Sequence, residues 1–162
     1  MSTAPDEQPA WLHGHAHEPN PAAPTTTTAF TLAQPAMLPR TLDVADLLAL
    51  PATTISDCYI VSTGHGTSGP FCFTGVRLCD LLEHLIGQST PWNQVDVVSA
   101  DGFGTRILRH ELFDERTRPI LLAYALDGQP LNRQQGLVRL IVPSETDDAL
   151  RQVKWVAELR IG

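Results

Sequence analysis

The order of apolar and polar positions divides the chain into an unpatterned N-terminal stretch and a patterned remainder. At the C-terminal end, Val153, Trp155, Ala157, Leu159 and Ile161 alternate with Lys154, Glu158 and Arg160. A period of two sustained over that length predicts a strand buried on one face. Leu78, Leu81, Leu82, Leu85 and Ile86 fall instead at i, i+3, i+4, i+7 and i+8. That spacing lays one apolar stripe along a helix, which Gly87 is placed to end. Val95, Val97 and Val98, then Thr105 to Leu108, flank Asp101-Gly102-Phe103-Gly104 and predict a hairpin. Asp101-Gly102 is read as turn chemistry rather than catalysis. Ile120 to Leu126 and Leu137 to Val142 are short apolar runs separated by turn residues, and predict two more strands. Upstream, Ile55 to Ser62 predicts a strand that enters a loop. Thr41 is placed to cap a helix over Leu42 to Leu50 that Pro51 ends. No internal repeat is present. The pattern predicts an α+β domain with a largely β core and two main helices.

Residues 1–29 lack this periodicity. They are rich in proline, threonine and alanine, with Pro19-Asn20-Pro21 and Thr25-Thr26-Thr27-Thr28. Such a segment is expected to be a disordered tail, with one folded domain over residues 30–162. Within it, His13, His15 and His17 alternate and have affinity for Cu(II), Ni(II) or Zn(II), which is taken as adventitious; a metal-delivery role is the alternative. A length of 162 residues with 43% apolar content supports the core of one domain.

A net charge of −7 argues against a nucleic-acid or anionic-membrane partner, while leaving room for a local basic pocket. No window approaches the roughly eighteen apolar residues of a membrane span. The N-terminus has neither the basic region nor the apolar stretch of a signal peptide. Cys58, Cys72 and Cys79 are odd in number and widely spaced, which disfavours a disulfide framework or a zinc site and leads to the expectation of a cytoplasmic protein. His84 and His110 are read as surface histidines. Walker, dinucleotide-binding and Ser/His/Asp hydrolase motifs do not occur.

The richest candidate chemistry lies in Ile60-Val61-Ser62-Thr63-Gly64-His65-Gly66-Thr67-Ser68-Gly69-Pro70. Its glycines permit close approach of backbone to a ligand, and its hydroxyls and imidazole supply directional hydrogen bonds. Backbone amides of Gly64, Gly66 and Thr67 are suited to an anion-accepting concavity; a plain glycine turn with a surface histidine is the alternative. After Phe71-Cys72-Phe73-Thr74-Gly75-Val76 comes the strong helix.

Strand, glycine loop and helix in this order resemble the start of the molybdopterin-binding domain of the sulfite oxidase family. Further segments extend the resemblance in the right order. Leu42-Asp43-Val44-Ala45-Asp46-Leu47-Leu48-Ala49-Leu50-Pro51 is similar to the family's opening helix, and Val98-Ser99-Ala100-Asp101-Gly102-Phe103 to its SxDGY turn. Leu121-Leu122-Ala123-Tyr124-Ala125-Leu126-Asp127-Gly128-Gln129-Pro130-Leu131 resembles LLAxxxNGxPL. Gly136-Leu137-Val138-Arg139-Leu140-Ile141-Val142-Pro143 resembles GxPxRLxVP with Val138 for the usual proline, and Lys154-Trp155-Val156 the closing Lys-Trp element.

The resemblance implies a sulfite oxidase-like molybdopterin-binding fold, a pterin cofactor or small anion as ligand, and Ser62, Thr63, Gly64, His65, Gly66, Thr67, Arg139 and Lys154 as the residues that contact it. In the family a cysteine in Cys-x-Gly ligates molybdenum, and here the triplet is Ser62-Thr63-Gly64. A serine hydroxyl is a hard, usually neutral donor where a thiolate is soft and charged. Ser62 is therefore read as a hydrogen-bonding loop residue, with metal ligation by Ser62 as the alternative. Cys58, four residues earlier on the same strand face and roughly 13 Å away, does not replace it. A phosphate or carboxylate between the strands would explain Arg139 and Lys154, since a charge in such a core must be paired or solvated; outward-facing strand positions are the alternative. Three functions follow: a cofactor- or anion-binding domain with its redox chemistry in doubt, an active molybdenum oxidoreductase with non-cysteine coordination, and a cofactor-free scaffold for protein interactions.

Overall fold

The computed structural model describes residues 23–62, 66–143 and 151–162, apart from the side chains of Val61 and Ser62. Two five-stranded sheets carry the architecture. The first contains β1 (Phe30–Ala33), β2 (Arg40–Leu42), β5 (Gln94–Ser99), β6 (Gly104–Leu108) and β10 (Val156–Ile161), in the order β2-β1-β10-β5-β6. Its β1–β10 pair is parallel and the other pairs antiparallel. The second contains β3 (Thr53–Ser62), β4 (Gly66–Arg77), β7 (Leu121–Leu126), β8 (Gln129–Pro130) and β9 (Arg139–Ile141), with β9 paired to β7. The helices are α1 (Val44–Leu48), α2 (Leu78–Ile86) and α3 (Arg109–Leu112). This is the expected α+β fold with a largely β core, to which α3 adds one short turn.

The main core joins both sheets to α2. Phe30, Leu32, Val95, Val97, Ile107 and Leu159 of the first sheet meet Leu78, Leu81 and Leu82 of the helix and Val76, Leu122 and Leu140 of the second sheet. The predicted helical stripe is thus the buried face of α2, and Gly87 ends the helix with its N–H on the Glu83 carbonyl at 2.9 Å. Strand alternation assigns the other face of the second sheet. Leu121, Ala123 and Ile141 lie on the opposite side from Leu122 and Leu140, and form a second cluster with Ile55, Cys58, Ile60, Phe73 and Leu131. Strand β7 is buried on both faces, hence its unbroken apolar Leu-Leu-Ala. Gly75 lets β4 and β7 approach: a Cβ there would lie 2.2 Å from the Leu122 carbonyl oxygen and 2.5 Å from the Ala123 Cα.

Several local expectations need correction. Thr41 lies in β2, paired with Thr31, and the helix cap is Asp43. Its carboxylate accepts the Val44 N–H at 2.7 Å while Asp46 accepts the Asp43 N–H at 2.8 Å, a reciprocal arrangement that an upstream threonine would not make. The glycine-rich segment is not a strand-to-helix loop. From Gly66 onward it pairs with β3, in the register Ser62↔Gly66, Val61↔Thr67 and Ile60↔Ser68, so the motif is a β-hairpin whose second strand feeds α2. Gly66 to Pro70 are exposed and carry no apolar alternation, so only pairing with β3 makes them strand.

The terminal strand starts at Val156 rather than Val153. Trp155 takes φ 51° and the β10–β5 register shifts between Val156 and Glu158. That bulge puts Val156 among the buried residues and leaves Ala157 half-buried, against the simple period of two. Finally, residues ahead of Phe30 make contacts. Ala23 is buried, and the Arg133 guanidinium donates to the carbonyls of Ala23 at 2.9 Å and Thr25 at 3.1 Å. The Thr28 hydroxyl donates to the Asp43 carboxylate.

Candidate functional site

Two of the expected site residues, far apart in sequence, converge. Arg139 opens β9, whose pairing with β7 (Arg139↔Ala123) puts its side chain on the face holding the second apolar cluster. Lys154 sits in the bend before β10. Three backbone bonds bind that bend to the β9 region: Trp155 N–H to the Gly136 carbonyl at 2.8 Å, Val156 N–H to Val138 at 2.9 Å, and Leu140 N–H to Val153 at 2.8 Å. The Trp155 indole donates to the Arg133 carbonyl at 2.7 Å. Gly136, at φ 111°, makes room for Lys154, since a Cβ there would come within 2.9 Å of the lysine Cβ. Only glycine takes that φ without strain and leaves the space free.

Arg139 retains 8% of its exposure, and its Nε has no hydrogen-bond partner. Its guanidinium carbon lies 5.3 Å from the centre of the Phe73 ring. Burial lowers its pKa to about 10, and the neighbouring Cys58 thiol acts in the opposite direction. Burial likewise lowers Lys154, and the positive charge of Arg139 lowers it further. Cys58 is fully buried. Burial raises its pKa against the pull of Arg118 and Arg139. Two cations thus approach each other on a largely apolar face, and among the described residues no carboxylate pairs with either. Such an arrangement is costly unless something anionic completes it.

The other expected residues are placed differently. Ser62 ends β3 opposite Gly66, and Gly66 and Thr67 are exposed at the start of β4. Thr63, Gly64 and His65 lie outside the described residues, as do His13, His15 and His17. Among the described residues no hydrogen bond joins Gly66 or Thr67 to Arg139 or Lys154. Asp101 serves its turn, accepting the Phe103 N–H at 3.0 Å, and His84 and His110 are exposed. No local pattern pointed to Phe73 and Cys58 beneath the arginine. Asp57, at φ 51°, and register shifts on both sides of Cys58 break the strand period from which its direction would be read. The three cysteines are free thiols, and no helix among the described residues is long and apolar enough to cross a membrane.

A family model described as oxidoreductase molybdopterin binding domain matches residues 17–162. Among solved structures, the chain is similar to the sulfane dehydrogenase SoxCD from Paracoccus pantotrophus, with a TM-score of 0.66 and 21% identity over 90% of this chain. The aligned part is 40% of that longer chain, so the likeness is one of fold over a single portion of it. No curated protein matches the sequence.

Proposed function

This chain belongs to the oxidoreductase molybdopterin binding domain family, and from that premise we propose that it binds a pterin cofactor, or a small anion in its place, through Arg139 and Lys154, without sulfite-oxidase-type turnover. The observation that carries the proposal is the buried Arg139 guanidinium, with an unpartnered Nε and a second cation beside it. An anionic group fits this donor set: Arg139 offers planar, charge-assisted N–H donors, and Lys154 adds a point charge. Residues Ser62 to Thr67 are assigned to the same ligand on their glycine content and their resemblance to the family's cofactor loop.

The metal is the weaker half of the fit. When bound, the cofactor's molybdenum supplies two-electron redox chemistry, and family members anchor it through a cysteine. At position 62 this chain offers a usually neutral hydroxyl in place of a charged thiolate, which weakens the anchoring of the metal and shifts its potential. Ser62 is therefore read as a hydrogen-bonding residue rather than a metal ligand. Retention of the ligand rests on the cationic pair.

The test is pterin and molybdenum content of the full chain, purified from a host that makes the cofactor, for the unmodified protein, Arg139→Gln and Ser62→Cys. Pterin is expected in the unmodified protein and lost in Arg139→Gln, with molybdenum substoichiometric and raised in Ser62→Cys. Full molybdenum content with turnover in the unmodified protein would refute the silent site. Absence of pterin and metal from both the unmodified protein and Ser62→Cys would remove cofactor binding altogether and favour a scaffold.

A further inference from the structure

At the far end of the first sheet, where β6 runs into α3, a cleft of about 630 Å³ is lined by Asn93, Leu108, Arg109, His110 and Phe113. It shares no residue with the Arg139–Lys154 pair. Arg109 is its distinctive member. Its guanidinium carbon lies 4.4 Å from the centre of the Trp92 ring and 4.9 Å from that of Phe113. The two rings are themselves in tilted contact at 6.2 Å, and Trp92 is buried in the main core. The arginine is thus held over an aromatic floor. Among the described residues, its side chain makes no hydrogen bond or ion pair.

The neighbouring acids do not compensate it. Glu111 pairs with Arg151 at 2.6 Å and Asp114 with Arg116 at 3.0 Å. Arg109 is half-buried against the two rings, and its N–H edge is left for a ligand to use. Stacking on Trp92 and Phe113 fixes the face of the guanidinium and leaves its donor edge unused among the described residues. Around it are the groups that recognition of a small organic anion requires. The Asn93 carboxamide and His110 imidazole add directional hydrogen bonds, while Leu108, 39% exposed at the end of β6, and the Phe113 ring offer apolar contact. The depression is open to solvent and would cover a small ligand on one side only, which fits weak binding. The guanidinium fork accepts carboxylate and phosphate alike. It is the apolar walls that favour a monoanion carrying an apolar ring over inorganic phosphate, whose hydration they would strip without replacement.

We propose that this cleft binds a small planar carboxylate, with the carboxylate on Arg109 and the ring against Leu108 and Phe113. The test is titration of the isotopically labelled full chain with benzoate, read by amide NMR shifts at Asn93 and residues 108–113, with benzamide and inorganic phosphate as controls. Saturable shifts confined to the cleft are expected with benzoate in the millimolar range. Benzamide should bind about tenfold more weakly or worse, since it lacks the charge-assisted bond. Arg109→Gln should erase the preference for benzoate over benzamide. If that variant fails to fold, Leu108→Glu decides: it leaves the aromatic stack in place, adds a negative charge at the rim, and should abolish the benzoate shifts. Equal binding of benzoate and benzamide, phosphate shifts as large as those of benzoate, or benzoate shifts unchanged in Leu108→Glu would each overturn the proposal.

Discussion

Replacing Arg139 by methionine should make the ligand-free protein more stable. The fall of the guanidinium's pKa to about 10 corresponds to about 3 kcal/mol held against the charged form by the fold. The contact with Phe73 returns about 1 kcal/mol of this. Methionine keeps an unbranched stem of similar reach, so no large cavity opens, and the unpartnered Nε is removed rather than left behind. Lys154 also recovers the part of its basicity that Arg139 suppresses. The net expectation is a gain of about 2 kcal/mol, or about 4–8 °C in melting temperature for a chain of this size.

The pH dependence has a definite sign. A base whose folded pKa is depressed destabilises the fold wherever it is charged, and the penalty is relieved as pH rises through the folded value. The difference between the two proteins should therefore be constant around neutrality and shrink above about pH 10. Urea denaturation in a low-salt cationic buffer free of phosphate and carboxylate measures it, urea leaving the electrostatics unscreened. A variant less stable than the unmodified protein by more than about 1 kcal/mol would refute the reasoning. It would mean that the guanidinium is already paired in the folded chain, with no vacancy for an anion.

Three further outcomes are expected. Gly75→Ala should destabilise the domain by about 3 kcal/mol or prevent folding, since its Cβ would sit 2.2 Å from a backbone oxygen of the adjacent strand; chemical denaturation checks this. Asp43→Ala should lose about 1 kcal/mol through the α1 cap while Asp43→Asn loses much less, as thermal melts would register. The Asp43 carboxyl is held below its ordinary value by the Thr28 hydroxyl and the Val44 N–H, so its contribution is present above the unfolded carboxyl range and declines as pH falls through the lower folded value. Removal of residues 1–28 should lower the melting temperature more than removal of residues 1–22, because only the former takes away the acceptors of Arg133 and the Thr28–Asp43 bond; equal melts for the two truncations would place residues 23–28 outside the folding unit.

Local periodicity and turn chemistry determined much of this protein in the sequence itself. The stripe from Leu78 to Ile86, the hairpin around Asp101-Gly102 and the runs that became β7 and β9 were legible because each side-chain pattern repeats at the spacing of its own element. The family was legible too, from motifs in order along the chain. The tertiary structure decided what no local pattern encodes. Gly66 to Pro70 became strand through pairing with β3, and the bulge after Trp155 overrode the simple alternation of the last segment. The site was decided in the same way. Arg139 and Lys154 each looked like a single charge on a strand, with an outward position as the ready alternative. Backbone bonds between residues 136–140 and 153–156 brought them together over a buried apolar face. Arg109 held no signal at all, because its aromatic floor and the pairing of its acidic neighbours with other arginines are arranged through space. Burial and the presence or absence of a charge partner are properties of non-local contacts, and these are what turn an ordinary arginine into a candidate binding group.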